Sequence, residues 1–307
     1  MLMQAYLENL ILENRHWTSQ GKVANYIPEL GKSDSQQLGI CIRTLDGDMF
    51  CAGDYDIPFT IQSVSKPLVL LLALMDQGEH KVFEKVGMEP TGDPFNSMIR
   101  LETFDHHTPY NPMINAGAIA VAGMINGEDV DERLERIISL LKRLSGGEHV
   151  VFNESVYLSE KRTGNRNRAM AYFMKEFGII DGNVEETLDL YFRQCSIEMS
   201  CKGIANIALT LANSGIDPVS GEVIVPKRFA RISKTFMMTC GMYDASGEFA
   251  MNVGIPAKSG VGGGILCSVP KRMGIGVFGP ALDSKGNSIA GIKMLEAVSK
   301  KYDLSLF

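Results

Sequence analysis

Phe59-Thr60-Ile61-Gln62-Ser63-Val64-Ser65-Lys66-Pro67 places a Ser-x-x-Lys pair where a helix begins. Ser63 and Lys66 stand three apart, so on a helix they share a face and the ammonium reaches the hydroxyl. Pro67 sets the start of that helix, because in a helix interior its ring would clash with the carbonyl of Ser63. Ser63 therefore belongs at the N-terminal edge, where the helix dipole is positive and its own N–H can meet a ligand. The apolar run Leu68–Met75 carries the helix into a core. The arrangement suits a serine nucleophile with a lysine base. Taken alone, the motif is weak, and an N-cap serine beside a solvated lysine is its commoner meaning.

A second element, Lys258-Ser259-Gly260, lies far downstream inside Pro256-Ala257-Lys258-Ser259-Gly260-Val261-Gly262-Gly263-Gly264. Penicillin-recognising enzymes pair Ser-x-x-Lys with a Lys-Thr/Ser-Gly strand beside the nucleophile. The glycines let backbone approach a substrate closely. Free lysine, at pKa ~10.4, is a poor base at neutral pH. A second lysine near Lys66 is expected to lower its pKa and leave it neutral more often.

The 307 residues, 45% hydrophobic and 21% charged, describe an ordinary globule of one large domain or two lobes. A net charge of −6 argues against general binding to nucleic acid or anionic membranes. Met3, Tyr6, Leu7, Leu10 and Ile11 recur at helical spacing, broken by Gln4, Glu8 and Asn9. Met1 to Trp17 thus reads as an amphipathic helix and not as a signal peptide, and no run approaches the ~20 apolar residues that span a bilayer. Six cysteines without a C-x-x-C read as reduced core thiols of a cytoplasmic protein. Adjacent His106 and His107 point their rings apart, so neither a metal site nor any cofactor is expected. Gly274-Ile275-Gly276-Val277-Phe278-Gly279 fits a dinucleotide fingerprint in letters only. Pro280 follows at once, and the segment alternates like a buried strand.

Leu38–Thr44 and Met49–Ala52 read as strands joined by the turn Leu45-Asp46-Gly47-Asp48. Helical patterns then occupy Val130–Leu144, Asn165–Phe177, Val184–Gln194, Gly203–Asn213 and Pro226–Thr239. Strand character returns at Ala250–Val253, Ile265–Val269 and Gly274–Phe278, and Asn287–Tyr302 closes as a helix. The order implies an α+β fold. Strands from both ends form one antiparallel sheet flanked by N- and C-terminal helices, with an inserted all-α lobe. Residues 1–66 and 241–307 would make the sheet lobe and residues 67–240 the mostly helical lobe, all within one catalytic unit. The nucleophile falls at their junction, a common place for a ligand cleft.

Several blocks together resemble the serine-dependent glutaminases, which are related in fold to the β-lactamases and penicillin-binding proteins. They are Gly21 to Pro28, Gln62 to Lys66, Asn111 to Ala118, Ser159 to Asn167, Tyr191 to Ile197, Cys240 to Asp244 and Lys258 to Gly264. Tyr110 stands where the family usually has histidine before Asn111, which touches no catalytic position. The absence of flanking domains resembles the compact bacterial form.

The resemblance implies that Ser63 is acylated, that Lys66 is its base and that Tyr243 relays a proton. Val261 would give an oxyanion N–H alongside that of Ser63. Glu160 would anchor the α-ammonium of L-glutamine. Tyr26, Asn115, Asn167, Tyr191 and Ser259 would complete the substrate contacts, and the chain would form a homodimer or homotetramer. The residues by themselves agree with such a ligand, which needs one buried anion and neutral donors. Each also has a plain alternative: Glu160 a solvated charge, Asn115 a helix cap, Tyr191 and Tyr243 core aromatics. A penicillin-recognising hydrolase and a non-catalytic amino-acid sensor stay open as rival readings. The missing Ser-Asp-Asn element weighs against the first, and intact Ser63, Lys66 and Tyr243 against the second.

Overall fold

The computed structural model describes residues 2–92, 94, 97–98, 101–102 and 107–307; His106, read above beside His107, lies outside them. In chain order the elements are α1 (Leu2–Asn14), β1 (Gly39–Thr44), β2 (Met49–Gly53), β3 (Phe59–Thr60) and α2 (Ser65–Lys85). The helical stretch holds α3 (Asn115–Ala122), α4 (Val130–Leu144), β4 (Val151–Phe152), α5 (Glu154–Thr163), α6 (Asn165–Glu176), α7 (Val184–Cys195), β5 (Ile197–Met199), α8 (Cys201–Ala212) and α9 (Lys227–Cys240). The chain closes with α10 (Ser246–Asn252), β6 (Ala257–Ser259), β7 (Gly264–Val269), β8 (Met273–Phe278) and α11 (Ile289–Tyr302).

The main sheet runs β2-β1-β8-β7-β6 and is antiparallel throughout, so its strands come from the two ends of the chain. Alternation decides its two faces. Ile40, Ile42, Ile265, Ile275 and Val277 pack with Leu7, Leu10 and Ile11 of α1 and Met294, Leu295 and Val298 of α11. Cys41 and Leu266 face the other way, into the core shared with the helical region. The glycines of the false fingerprint are explained there. A Cβ on Gly274 would stand 2.1 Å from the Ala205 carbonyl oxygen, and one on Gly276 would stand 2.3 Å from that of Cys201. Both glycines let α8 lie directly on β8.

Most expected elements are present within a residue or two, and the sequence reading needs two corrections. Ala250–Val253 is not a strand, because residues 246–252 form α10. Phe249 and Val253 are the buried pair against the sheet, a spacing of four that suits a helix and not a strand. The cysteines are also not all free. Cys41 and Cys51 oppose each other across β1 and β2 and form a disulfide, with Cα atoms 4.2 Å apart. The turn at residues 45–48 fixes that register, which a count of cysteines does not use. Cys195, Cys201, Cys240 and Cys267 are free thiols. Among the described residues no helix is long and apolar enough to cross a membrane, and no cluster of side chains could hold a metal ion.

Candidate active site

The nucleophile turn is held from both sides. β3 pairs with β5, and Ile61 N–H donates to the Ile197 carbonyl at 2.8 Å. The chain then reverses through a 3-10 turn over Gln62–Val64 before α2 begins. Gln62 takes a left-handed φ of +46°, which costs a non-glycine residue about 1–2 kcal/mol. Ser63, Ser65 and Lys66 are all buried, so the surrounding packing holds the turn in place.

Lys66 is fully buried at the start of α2. Its Nζ donates to Asn115 Oδ1 at 2.7 Å and to the Met113 carbonyl at 3.1 Å. A neutral amine has two N–H donors and one lone pair, so these acceptors occupy both donors and leave the lone pair free as a base. Asn115 opens α3, and its Nδ2 in turn donates to Asn167 Oδ1 at 3.1 Å. Burial lowers the Lys66 pKa to about 8, against the raising influence of Cys195 and Glu160. The expected repulsion from Lys258 falls instead on Lys258, held well below its ordinary value by burial and then by Lys66.

Tyr243 opens a short 3-10 turn, also with a left-handed φ, of +56°. Burial pushes its phenol well up, while hydrogen bonds from the Ser63 hydroxyl and the Val261 N–H to its oxygen pull the other way. The group stays a phenol at neutral pH. Lys258 Nζ lies 4.4 Å from the Tyr243 ring centroid and donates to the carbonyls of Gly241 and Ser259. Ser259 is fully buried, and its hydroxyl makes no hydrogen bond among the described residues. Past β6 the chain runs against the nucleophile turn. A Cβ on Gly260 would stand 2.5 Å from the Ile61 carbonyl oxygen and 3.4 Å from Ser63 N, so only glycine allows the approach. That contact brings the Val261 and Ser63 backbones side by side.

Glu160 on α5 is buried, and its Oε2 has no hydrogen-bond partner among the described residues. Burial raises its pKa to about 8, opposed by Lys66 and by a hydrogen bond from Gln62. The Tyr191 phenol is pushed well up by burial, and Cys195 and Glu160 add to the shift; the Tyr26 side chain stays about half exposed at the edge of the cluster. A groove of about 500 Å³ is lined by Tyr26 and Val261 of this cluster together with Leu282 and Asp283. The structure thus gathers Ser63, Lys66, Tyr243, Val261, Glu160, Asn115, Asn167, Tyr26, Tyr191 and Ser259 into one region. A buried hydroxyl, an amine with a free lone pair and two adjacent backbone donors suit acyl transfer.

The glutaminase family model matches residues 21–307. The chain belongs to the glutaminase family. It is 58% identical over 305 residues to a glutaminase of Clostridium botulinum (strain Kyoto / Type A2), covering 99% of this chain and 100% of that one. A glutaminase of Clostridium tetani is 57% identical over 306 residues, with full coverage of both at 100%. Among solved structures, a Bacillus subtilis glutaminase superposes with a TM-score of 0.91 at 41% identity, over 99% of each chain. That protein is in covalent complex with 5-oxo-L-norleucine, formed by its reaction with 6-diazo-5-oxo-L-norleucine. The fold is the β-lactamase-like fold of the bacterial glutaminases.

Two members of this cluster escape a reading by sequence. Gln62 is buried beside the nucleophile and hydrogen-bonds Glu160. Only its place before Ser63 could have marked it. Cys195 is a buried thiol next to Glu160, Lys66 and Tyr191, its pKa pushed well up by burial. It sits one helical turn after Tyr191 on α7, a spacing that signals a shared face and nothing about chemistry.

Proposed function

We propose that this chain hydrolyses L-glutamine to L-glutamate and ammonia through an acyl-enzyme on Ser63. The Ser63 hydroxyl attacks the side-chain amide carbon while its proton passes to the Lys66 lone pair. The oxyanion is met by the N–H groups of Ser63 and Val261. The tetrahedral species expels ammonia, which takes up that proton directly or through Tyr243. Water then adds to the ester, gives a proton back to the Ser63 oxygen and releases glutamate. Glu160 pairs with the α-ammonium, and Asn167, Tyr191 and Tyr26 face the carboxylate end. Asn115, bonded to both Lys66 and Asn167, joins the base to that end of the cleft.

The observation that carries this reading is the buried Lys66, two of whose N–H groups are occupied, so that the neutral amine keeps a free lone pair. Family membership supports it, as does the covalent bond that the Bacillus subtilis relative forms with a glutamine-like electrophile. The same reading places residues 1–66 and 241–307 in one lobe and 67–240 in the other, in a cytoplasmic homodimer or homotetramer. Ammonia release from L-glutamine is the test. Ser63→Ala should remove nearly all turnover, whereas Ser65→Ala, whose hydroxyl donates to the Gln62 carbonyl, should keep a measurable part. A glutamine-analogue electrophile found on Ser65 by mass spectrometry would overturn the assignment.

A further inference from the structure

The chain is acidic overall, with a net charge of −6, yet one groove counts five cationic residues among those that line it. It has a volume of about 430 Å³ and is lined by Lys227, Arg228, Arg231 and Lys234 of α9, by Lys271 and Pro270 of the β7–β8 turn, and by Ala212 and Ser214 after α8. No carboxylate lines it. Lys227, Arg231 and Lys234 recur at helical spacing, so they rise along one face of α9. Glu79 of α2 is taken up by a two-pronged ion pair with Arg228 and acts on Arg231 only as a neighbouring charge, without an ion pair. Among the described residues the side chains of Lys227, Arg231, Lys234 and Lys271 have no ion pair.

Three further facts point to an anion. α9 is a 14-residue helix whose N-cap, Pro226, offers no side-chain hydrogen bond, so its positive end is left uncapped beside the groove. Lys271 holds a left-handed φ of +60°, a conformation that favours glycine, while its N–H donates to the Ala212 carbonyl at 3.0 Å. The turn is thereby clamped to α8 with an ammonium side chain beside the cavity. Lys234 is half-buried, and burial lowers its pKa with no carboxylate offsetting the shift. The walls are rigid as well: Ser233 on α9 donates to the Pro67 carbonyl of α2 at 3.2 Å in a buried contact.

We propose that this groove is a binding site for a small polyanion carrying two or more phosphoryl groups. Four unpaired cations match the roughly two negative charges on each of two phosphoryl groups. The Arg231 fork suits phosphate oxygens, the lysines add point charges, and an uncapped helix start supplies backbone donors. The site is separate from the catalytic cleft, so its failure would leave the glutaminase reading untouched. Isothermal titration of the intact protein with inorganic pyrophosphate tests it, with L-glutamate present at saturation to occupy the cleft. One pyrophosphate should bind per chain. Arg231→Ala combined with Lys271→Ala should weaken binding at least about tenfold, equivalent to ~1.4 kcal/mol, while glutamine turnover without pyrophosphate stays at the parental rate. Arg231→Lys should restore part of the affinity. No binding, or equal affinity in the double variant, would overturn the site. Citrate binding as tightly as pyrophosphate would overturn the phosphoryl assignment.

Discussion

Replacing Glu160 with Gln separates what the carboxylate does for the substrate from what it does to the fold. Burial raises its pKa from 4.5 to about 8, against the pull of Lys66 and Gln62. The folded chain thus keeps a proton that the unfolded chain gives up, and stability falls as pH rises from 4.5 towards 8. At about 1.4 kcal/mol per unit, the burden reaches at most roughly 3 kcal/mol at pH 7 and roughly 5 above pH 8. Water entering the open cleft screens the charge and lowers both figures. Glutamine at this position never ionises. The variant should therefore melt several degrees higher than the parent at about pH 8, and together with it at about pH 4. Its kcat/KM should nevertheless fall roughly 30- to 5,000-fold, the ~2–5 kcal/mol lost when one partner of a desolvated charge pair is removed. Thermal melts across this pH range and ammonia release at saturating and limiting glutamine provide the two readouts. Parallel melting curves at every pH with near-parental kcat/KM would refute the reasoning, because Glu160 would then be neither a costly buried anion nor the ammonium anchor.

The pH profile of kcat/KM should rise towards a plateau above about pH 8 and be steeper than one ionisation, since Lys66 and Glu160 must both lose protons and both titrate near 8. A rise with the slope of a single ionisation would show that one of them already holds its catalytic form below about pH 6, and a flat profile between about pH 6 and 8 that both do. Binding of a non-reacting glutamine analogue in weak buffer near neutral pH should release protons as its ammonium drives Glu160 to ionise; proton uptake would contradict the assignment. Thiol titration of the denatured, unreduced chain should count the four free cysteines, and six would mean that Cys41 and Cys51 stay open.

Local signals made much of the fold legible. The hairpin at residues 45–48, the start of α2 near Pro67 and the ends of α4 each rest on a few neighbouring residues with a single steric or hydrogen-bonding cause. Asp129 caps α4 by accepting from Glu132 N–H, a contact within one turn. The errors came where the cause was distant. Residues 250–253 form no strand because Phe249 and Val253 meet a sheet built partly from the other end of the chain. The Cys41–Cys51 pair depends on strand register, which composition does not contain. The candidate site divides in the same way. Ser63 and Lys66 are three residues apart and were readable as chemistry. Glu160, Asn115 and Tyr191 lie on separate helices, and only the family resemblance joined them before the structure placed them together.

The two shifted groups also bear on how the cleft meets its substrate. Lys66 is lowered and Glu160 raised to the same neighbourhood, about 8, and burial is the first cause of each. A buried ammonium and a buried carboxylate would ordinarily settle as an ion pair, but each keeps partners that leave the opposite charge only partly met. Lys66 is turned towards Asn115 and the Met113 carbonyl, and one Glu160 oxygen has no hydrogen-bond partner among the described residues. On the proposed reading, glutamine supplies what is missing. Its α-ammonium stabilises ionised Glu160 and, by adding positive charge nearby, offsets the raising influence that ionised Glu160 has on Lys66. Both effects favour the one protonation state that can act: carboxylate ionised, amine neutral. An amide without the amino-acid end would leave Glu160 protonated and the base largely charged at neutral pH. Recognition of the amino acid and activation of the nucleophile are then one electrostatic event, and the cleft discriminates substrates through reactivity as well as through binding.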